Sequence, residues 1–156
     1  MSIIGQGGKI ILFTLPYLTA AILIHFQSPN FASLPLEWGS IQPLGYVLLV
    51  PSALLWISGI IQLLMDFPKE KLITHGAYGL CRNSIYSSSI LLILPAISIL
   101  TLSWVYISVS IFLYIGVMLF RGKEEKQPLQ VFGEDYANYL KNVSRIIPFI
   151  KPLKDR

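Results

Sequence analysis

Two stretches of this sequence carry its polar chemistry. One runs from Leu72 to Tyr86 and holds His75, Gly76, Tyr78, Arg82, Asn83 and Tyr86. The other begins at Arg121, immediately after a long uncharged run, and gathers Arg121, Lys123, Glu124, Glu125 and Lys126 before continuing to Lys151. Cations and carboxylates clustered at the mouth of a membrane hairpin can hold a polar cofactor against an apolar substrate. Asn is a favoured helix N-cap, and Asn83 stands where an apolar run begins, so a helix starting there turns free N–H groups and a positive dipole end toward a carboxylate. Tyr78, Tyr86 and Tyr136 offer ring faces to a flat base or to a cation. Glu124 and Glu125 can receive an ammonium group. Arg121 and Glu125 are four residues apart and share a face if the helix before them continues past the apolar run. The competing reading of Arg121, Lys123 and Lys126 is anchoring among lipid headgroups, and of Glu124 and Glu125 a solvated helix end.

The elements that position these residues are set by composition. Hydrophobic residues make up 54% of the 156 residues and charged residues 13%, outside the usual range for a soluble domain. The chain reads as an integral membrane protein in a single domain spanning 1–156, with no room for a separate soluble catalytic domain of ordinary size. One cysteine, Cys81, excludes an internal disulfide and a redox pair. His25 and His75 lack metal-ligand spacing. The formal net charge of +4 is read as membrane anchoring, so the expected partners are membrane lipids and not nucleic acid; oligomeric state is left open.

Charge spacing gives the spans. Glu37 is the one charged residue between Ile10 and Met65, and none lies between Asn83 and Phe120. The first gap divides at Gln27 to Asn30 and Pro35 to Pro43, leaving spans near 10–26 and 44–65. The second, at about 1.5 Å per residue, would make one helix of roughly 57 Å against a hydrocarbon core of about 30 Å. It must fold back. The turn is expected around Ser98 to Ser103, giving a tight helical hairpin of spans near 85–97 and 103–120. The predicted fold is therefore an all-α, multi-pass transmembrane bundle of four spans with a cytoplasmic C-terminal helical segment. Four spans put both termini, the Asp66 to Arg82 loop and every Lys and Arg on one side, which the positive-inside bias makes cytoplasmic. Pro16, Pro51 and Pro95 are expected to bend their helices. Pro16 also argues against reading the first apolar run as a cleaved signal.

Taken together, the polar stretches resemble the isoprenylcysteine carboxyl methyltransferase family and its phospholipid methyltransferase relatives, integral membrane enzymes. The family pattern is Gly-Pro-Tyr-Arg-x-x-Arg-His-Pro-x-Tyr, a helical hairpin, then Glu-Glu-x-x-Leu-x-x-x-Phe-Gly-x-x-Tyr-x-x-Tyr and a closing Arg-x-x-Pro. Glu124, Glu125, Phe132, Gly133, Tyr136, Tyr139, Arg145 and Pro148 fall at the matching positions. So do Gly76, Tyr78, Arg82 and Tyr86, whereas Ala77 and Gly79 replace a Pro and an Arg, and Asn83-Ser84 replaces His-Pro. The resemblance covers roughly the second half of the chain. It implies S-adenosylmethionine-dependent methyl transfer to a lipophilic acceptor from the bilayer, a carboxylate such as an isoprenylcysteine-type substrate. By the same resemblance, Gly76, Tyr78, Arg82, Asn83, Tyr86, Glu124, Glu125 and Tyr136 would contact S-adenosylmethionine. Arg121 would grip the acceptor carboxylate, and Glu125 would share the catalytic face. The alternatives are N-methylation of a phospholipid amine, with Glu125 or a tyrosine taking the proton, a non-catalytic membrane scaffold that has lost the His-Pro element, and a nicotinamide-dependent reductase, against which the glutamate pair and short tail argue.

Overall fold

The computed structural model describes residues 5–35, 37–66, 72–121 and 126–147. These residues are helical apart from turns and one isolated bridge. In order they form α1 (Gly5–Gln27), the short α2 (Pro29–Ala32), α3 (Trp38–Asp66), the short α4 (Ala77–Leu80), α5 (Ser84–Thr101), α6 (Val105–Arg121) and α7 (Lys126–Asn142). Three helices are long and apolar enough to cross a membrane: α1 over Gly7–Gln27, α3 over Ser40–Met65, and α5. The chain is thus a multi-pass membrane protein by helix length and hydropathy. The fourth expected span corresponds to the shorter apolar helix α6. Its 17 residues rise roughly 26 Å at about 1.5 Å each.

Two boundaries differ from those expected. The helix α3 starts at Trp38 and takes in Pro43, which lies in its second turn and forgoes one helical bond there. The helix α5 runs on to Thr101, past Ile97. It stops because Leu102 turns left-handed (φ 50°, ψ 40°), with Ser103 N–H donating to Ser98 O at 2.9 Å and Leu102 N–H to Ile99 O at 3.3 Å. This is a Schellman-type ending with leucine where glycine is usual. The turn is further clasped by the connection between α1 and α3. Leu34 N–H donates to Leu102 O at 2.7 Å, Trp104 N–H to Ala32 O at 3.0 Å, and the Trp104 indole to Phe31 O at 2.8 Å. Backbone groups that lipid could not satisfy are paired in this way.

The packing makes a row: α1 lies on α6, α6 on α5, and α5 on α3. Aromatic rings join the first pair, Phe13 on Phe112 at 4.6 Å and Tyr17 on Phe112 at 4.4 Å between centroids. Small residues join the last. A Cβ on Gly45 would stand 2.7 Å from Leu100 Cγ and one on Gly59 3.1 Å from Ile85 Cγ1, with Ser52 fully buried between them in sequence. Close helix approach through small residues is the usual device where lipid removes the hydrophobic incentive to associate.

The expected bend at Pro95 takes a specific form. Ser89–Ile93 is a π-helical stretch, with Leu94 N–H reaching back to Ser89 O. In that register Ile90 O should receive the next N–H, which Pro95 lacks. Ser110 on α6 supplies it instead, its hydroxyl donating to Ile90 O at 2.5 Å.

Candidate functional site

The two polar stretches meet at the end of the bundle opposite the clasp. At the end of α3, Gln62 Oε1 accepts Ala77 N–H at 3.2 Å and so fixes the start of α4. Gly76 makes that approach possible. Its backbone (φ 59°, ψ −130°) suits glycine alone, and a Cβ there would lie 1.7 Å from Gln62 Nε2. Beyond α4 the chain passes through extended Cys81 to the start of α5.

The C-terminal segment then lies across that start. Arg82 N–H donates to Ser144 O at 2.9 Å, Asn83 N–H to Arg145 O at 3.1 Å, and the Ser87 hydroxyl to Ile146 O at 2.5 Å. Ile146 is buried with Ile10, Ile90 and Val117, and Arg145 Nη1 reaches Met118 Sδ at 3.8 Å. From α7 the Tyr139 hydroxyl donates to Tyr78 O at 2.7 Å, joining residues 61 apart in sequence. Burial pushes the Tyr139 phenol above its ordinary range; the Arg82 guanidinium opposes that shift, while Cys81, Tyr136 and Tyr78 add to it. Burial likewise raises the Cys81 thiol, against hydrogen bonds with Ser87 and Ser84.

Tyr139 is therefore the centre about which Tyr78, Arg82 and Tyr136 gather, with the Tyr136 ring 6.2 Å from its own. Gly76 holds the loop behind them. Asn83 does occupy the N-cap position of α5, but its side chain makes no capping bond, a correction to the expected role. The reason is its backbone (φ −118°, ψ 55°), which departs from the extended geometry of a cap, while carbonyls of Ser144 and Arg145 hold the flanking amides. The side chain is nonetheless buried. Tyr86 packs on the Ile10, Ile90, Val117 and Ile146 cluster, its hydroxyl 3.2 Å from where a Gly7 Cβ would stand. Arg121 is the last residue of α6. Its side chain, Glu124 and Glu125 lie outside the described residues, and with them the expected shared face. The C-terminal helix is present but broken at Gly133 (φ 52°, ψ −124°).

Sequence reasoning gave no role to Tyr139, Ser87 or Gln62. For Tyr139 a signal existed, since it completes the Tyr-x-x-Tyr of the resemblance. Gln62, a lone amide near the end of an apolar span, was a second.

Two cavities adjoin the junction. An open groove of about 480 Å³ lies between Leu72 and Thr74 on one side and Asp135, Asn138, Tyr139, Asn142 and Val143 of the α7 region on the other. A smaller apolar cavity of about 150 Å³ is lined by Leu55, Leu80, Cys81, Ser84, Ser87, Leu91 and Leu92. Among the described residues no three His, Cys, Asp or Glu come together as a metal site. Set against protein-family models, curated proteins and solved structures, the chain matches none.

Proposed function

We propose that this chain is an integral membrane methyltransferase that takes S-adenosylmethionine from the aqueous side and a lipophilic acceptor from the bilayer. The observation that carries this reading is the junction of the two polar stretches through Tyr139 and Tyr78 and through the Arg82 and Asn83 amides. It gathers Tyr78, Arg82 and Tyr136 about Tyr139 together with Cys81, which lines the small apolar cavity with Leu55 of α3 and Ser84, Ser87, Leu91 and Leu92 of α5. A polar cofactor and a greasy acceptor need such a boundary. In the reaction an acceptor carboxylate oxygen forms a bond to the sulfonium methyl carbon as the carbon–sulfur bond breaks, leaving the neutral thioether S-adenosylhomocysteine. The nucleophile is already ionised, so orientation and exclusion of water supply the rate and no strong base is required. In this reading the tyrosine faces hold the sulfonium, Arg121 grips the acceptor carboxylate, and Glu124 and Glu125 receive the cofactor ammonium. A phospholipid amine acceptor would instead have to lose a proton, to Glu125 or a tyrosine.

The same reading takes α6 as a fourth span. On this reading α6, returned along α5 by the turn at Leu102, comes back to the side that α5 left, and both ends of the chain share the cytoplasmic face with the site.

One observation favours the non-catalytic scaffold. The amides of Arg82 and Asn83, at the start of α5, are already bonded to the protein's own carbonyls. Calorimetric titration of the detergent-purified protein with S-adenosylmethionine separates the two readings. Saturable binding, followed by transfer of labelled methyl to host membrane lipids, is expected of the enzyme. Absence of binding at millimolar cofactor would leave the scaffold.

A further inference from the structure

The open groove beside Tyr139 is chemically distinct from the apolar cavity. Asp135, Asn138, Tyr139 and Asn142 recur at helical spacing along α7, and Thr74 faces them from the loop before α4. Its size, about 480 Å³, lies within the span of small-molecule sites. The described lining contains one carboxylate and neither Lys nor Arg. A phosphate would therefore meet repulsion and no counter-charge, whereas a sugar diol would find the acceptor that such hydroxyls require. Asn138 and Asn142 each carry a side-chain amide able to donate and accept at a base edge, although one N–H of the Asn142 amide is already given to the Asn138 main-chain carbonyl at 2.9 Å. The Tyr139 ring forms part of the wall, held in place by its hydroxyl bond to Tyr78 O. A phosphate-free nucleoside meets each of these terms.

We infer that this groove binds the adenosine half of the cofactor, with Asp135 accepting from the ribose hydroxyls and Asn138 addressing the base. The inference rests on the methyltransferase reading and adds to it where the nucleoside sits and why a phosphorylated nucleotide is refused. The sulfonium is bonded to the ribose, so it must then lie at the Tyr139 wall of the groove, toward Tyr78 and Tyr136.

The test is competition against labelled S-adenosylmethionine on full-length protein in detergent, using S-adenosylhomocysteine, its 2′-deoxy analogue, and ATP. The wild type should bind the deoxy analogue roughly ten-fold more weakly than S-adenosylhomocysteine, the expected loss of one hydrogen bond to a charged acceptor. ATP should compete poorly. Asp135→Ala should abolish the preference between the two thioethers while leaving the melting temperature unchanged, since Asp135 is exposed. Glu134→Ala, on an exposed neighbour, should preserve the preference. Should S-adenosylmethionine bind while the two thioethers compete equally, or should Asp135→Ala keep the wild-type preference, the groove assignment is overturned and the methyltransferase reading stands. Should no cofactor bind at all, both are overturned.

Discussion

Gly76 and Gly133 share nearly the same unusual backbone, φ 59° and ψ −130° against φ 52° and ψ −124°, yet their surroundings differ. An added Cβ at Gly133 meets nothing within 4 Å, whereas at Gly76 it collides with Gln62. Gly133→Ala should therefore cost the backbone strain alone, about 1 to 3 kcal/mol. Gly76→Ala should cost more, and should also weaken S-adenosylmethionine binding because the loop carrying Tyr78 and Arg82 loses its anchor on Gln62. Thermal unfolding of both variants in detergent, paired with cofactor titration, checks the order; equal losses would contradict it. Tyr139 supplies a prediction in pH. Its folded-state pKa is raised, chiefly by burial, so the neutral phenol is the stabilised form. That contribution is fully present below the unfolded value near 10 and is lost as pH rises beyond it. Unfolding midpoints should fall above about pH 10 in the wild type and fall less in Tyr139→Phe. The same variant removes the Tyr139 hydroxyl bond to Tyr78 O, which should cost about 1 kcal/mol. It should also speed thiol labelling of Cys81, which is buried at 4% exposure and is the one cysteine in the chain. Much of this was legible in residue types, since glycine at 76 and tyrosine at 78 and 136 were singled out from the sequence alone. What could not be read was which phenol is buried and which carbonyl it serves, because that depends on a contact 61 residues away.

Among the elements, α5 shows how a sequence signal becomes a structural one. A proline in an apolar helix announces a disturbance, and Pro95 was expected to bend its span. The π stretch before it and the hydroxyl from α6 that serves Ile90 O are products of packing that no single segment encodes. Ser110→Ala should cost about 1 to 3 kcal/mol by leaving a buried carbonyl unpaired. Pro95→Ala returns an N–H to the helix, so in that background the loss of Ser110 should matter much less. A double-mutant cycle on unfolding free energies measures this, and strict additivity would show that the two residues act separately. Likewise, the fold-back of the second apolar run followed from length alone, about 57 Å against about 30 Å of hydrocarbon. Its turn lies at Leu102 because Ser98 and Ser103 exchange bonds there and the α1–α3 connection supplies the remaining partners. Apolar periodicity carries no record of such partners: the expected turn within Ser98 to Ser103 does hold Leu102, whereas the expected span stops short of Thr101, where the helix ends.

For the molecule as a whole, charge spacing was the most informative feature of the sequence, because it separated apolar from polar segments without knowledge of their contacts. The proposed four-span topology predicts that Ser33→Cys and Lys141→Cys, each in a Cys81→Ser background, will be modified by impermeant thiol reagents from opposite faces of sealed vesicles. Modification from one face would remove α6 as a span and place the two polar stretches on different sides. The row of helices also has mechanical content. At one end, main-chain bonds from Leu34 and to Ala32 rivet the α1–α3 connection to the turn between α5 and α6. At the other, α1 and α6 meet α5 beneath a laid-on C-terminal strap whose few bonds run through Ser144, Arg145 and Ile146. Such a body is pinned at both ends of α5: main-chain bonds tie its start to the C-terminal strap and its close to the α1–α3 connection, so neither end can slide without breaking bonds to segments far away in sequence.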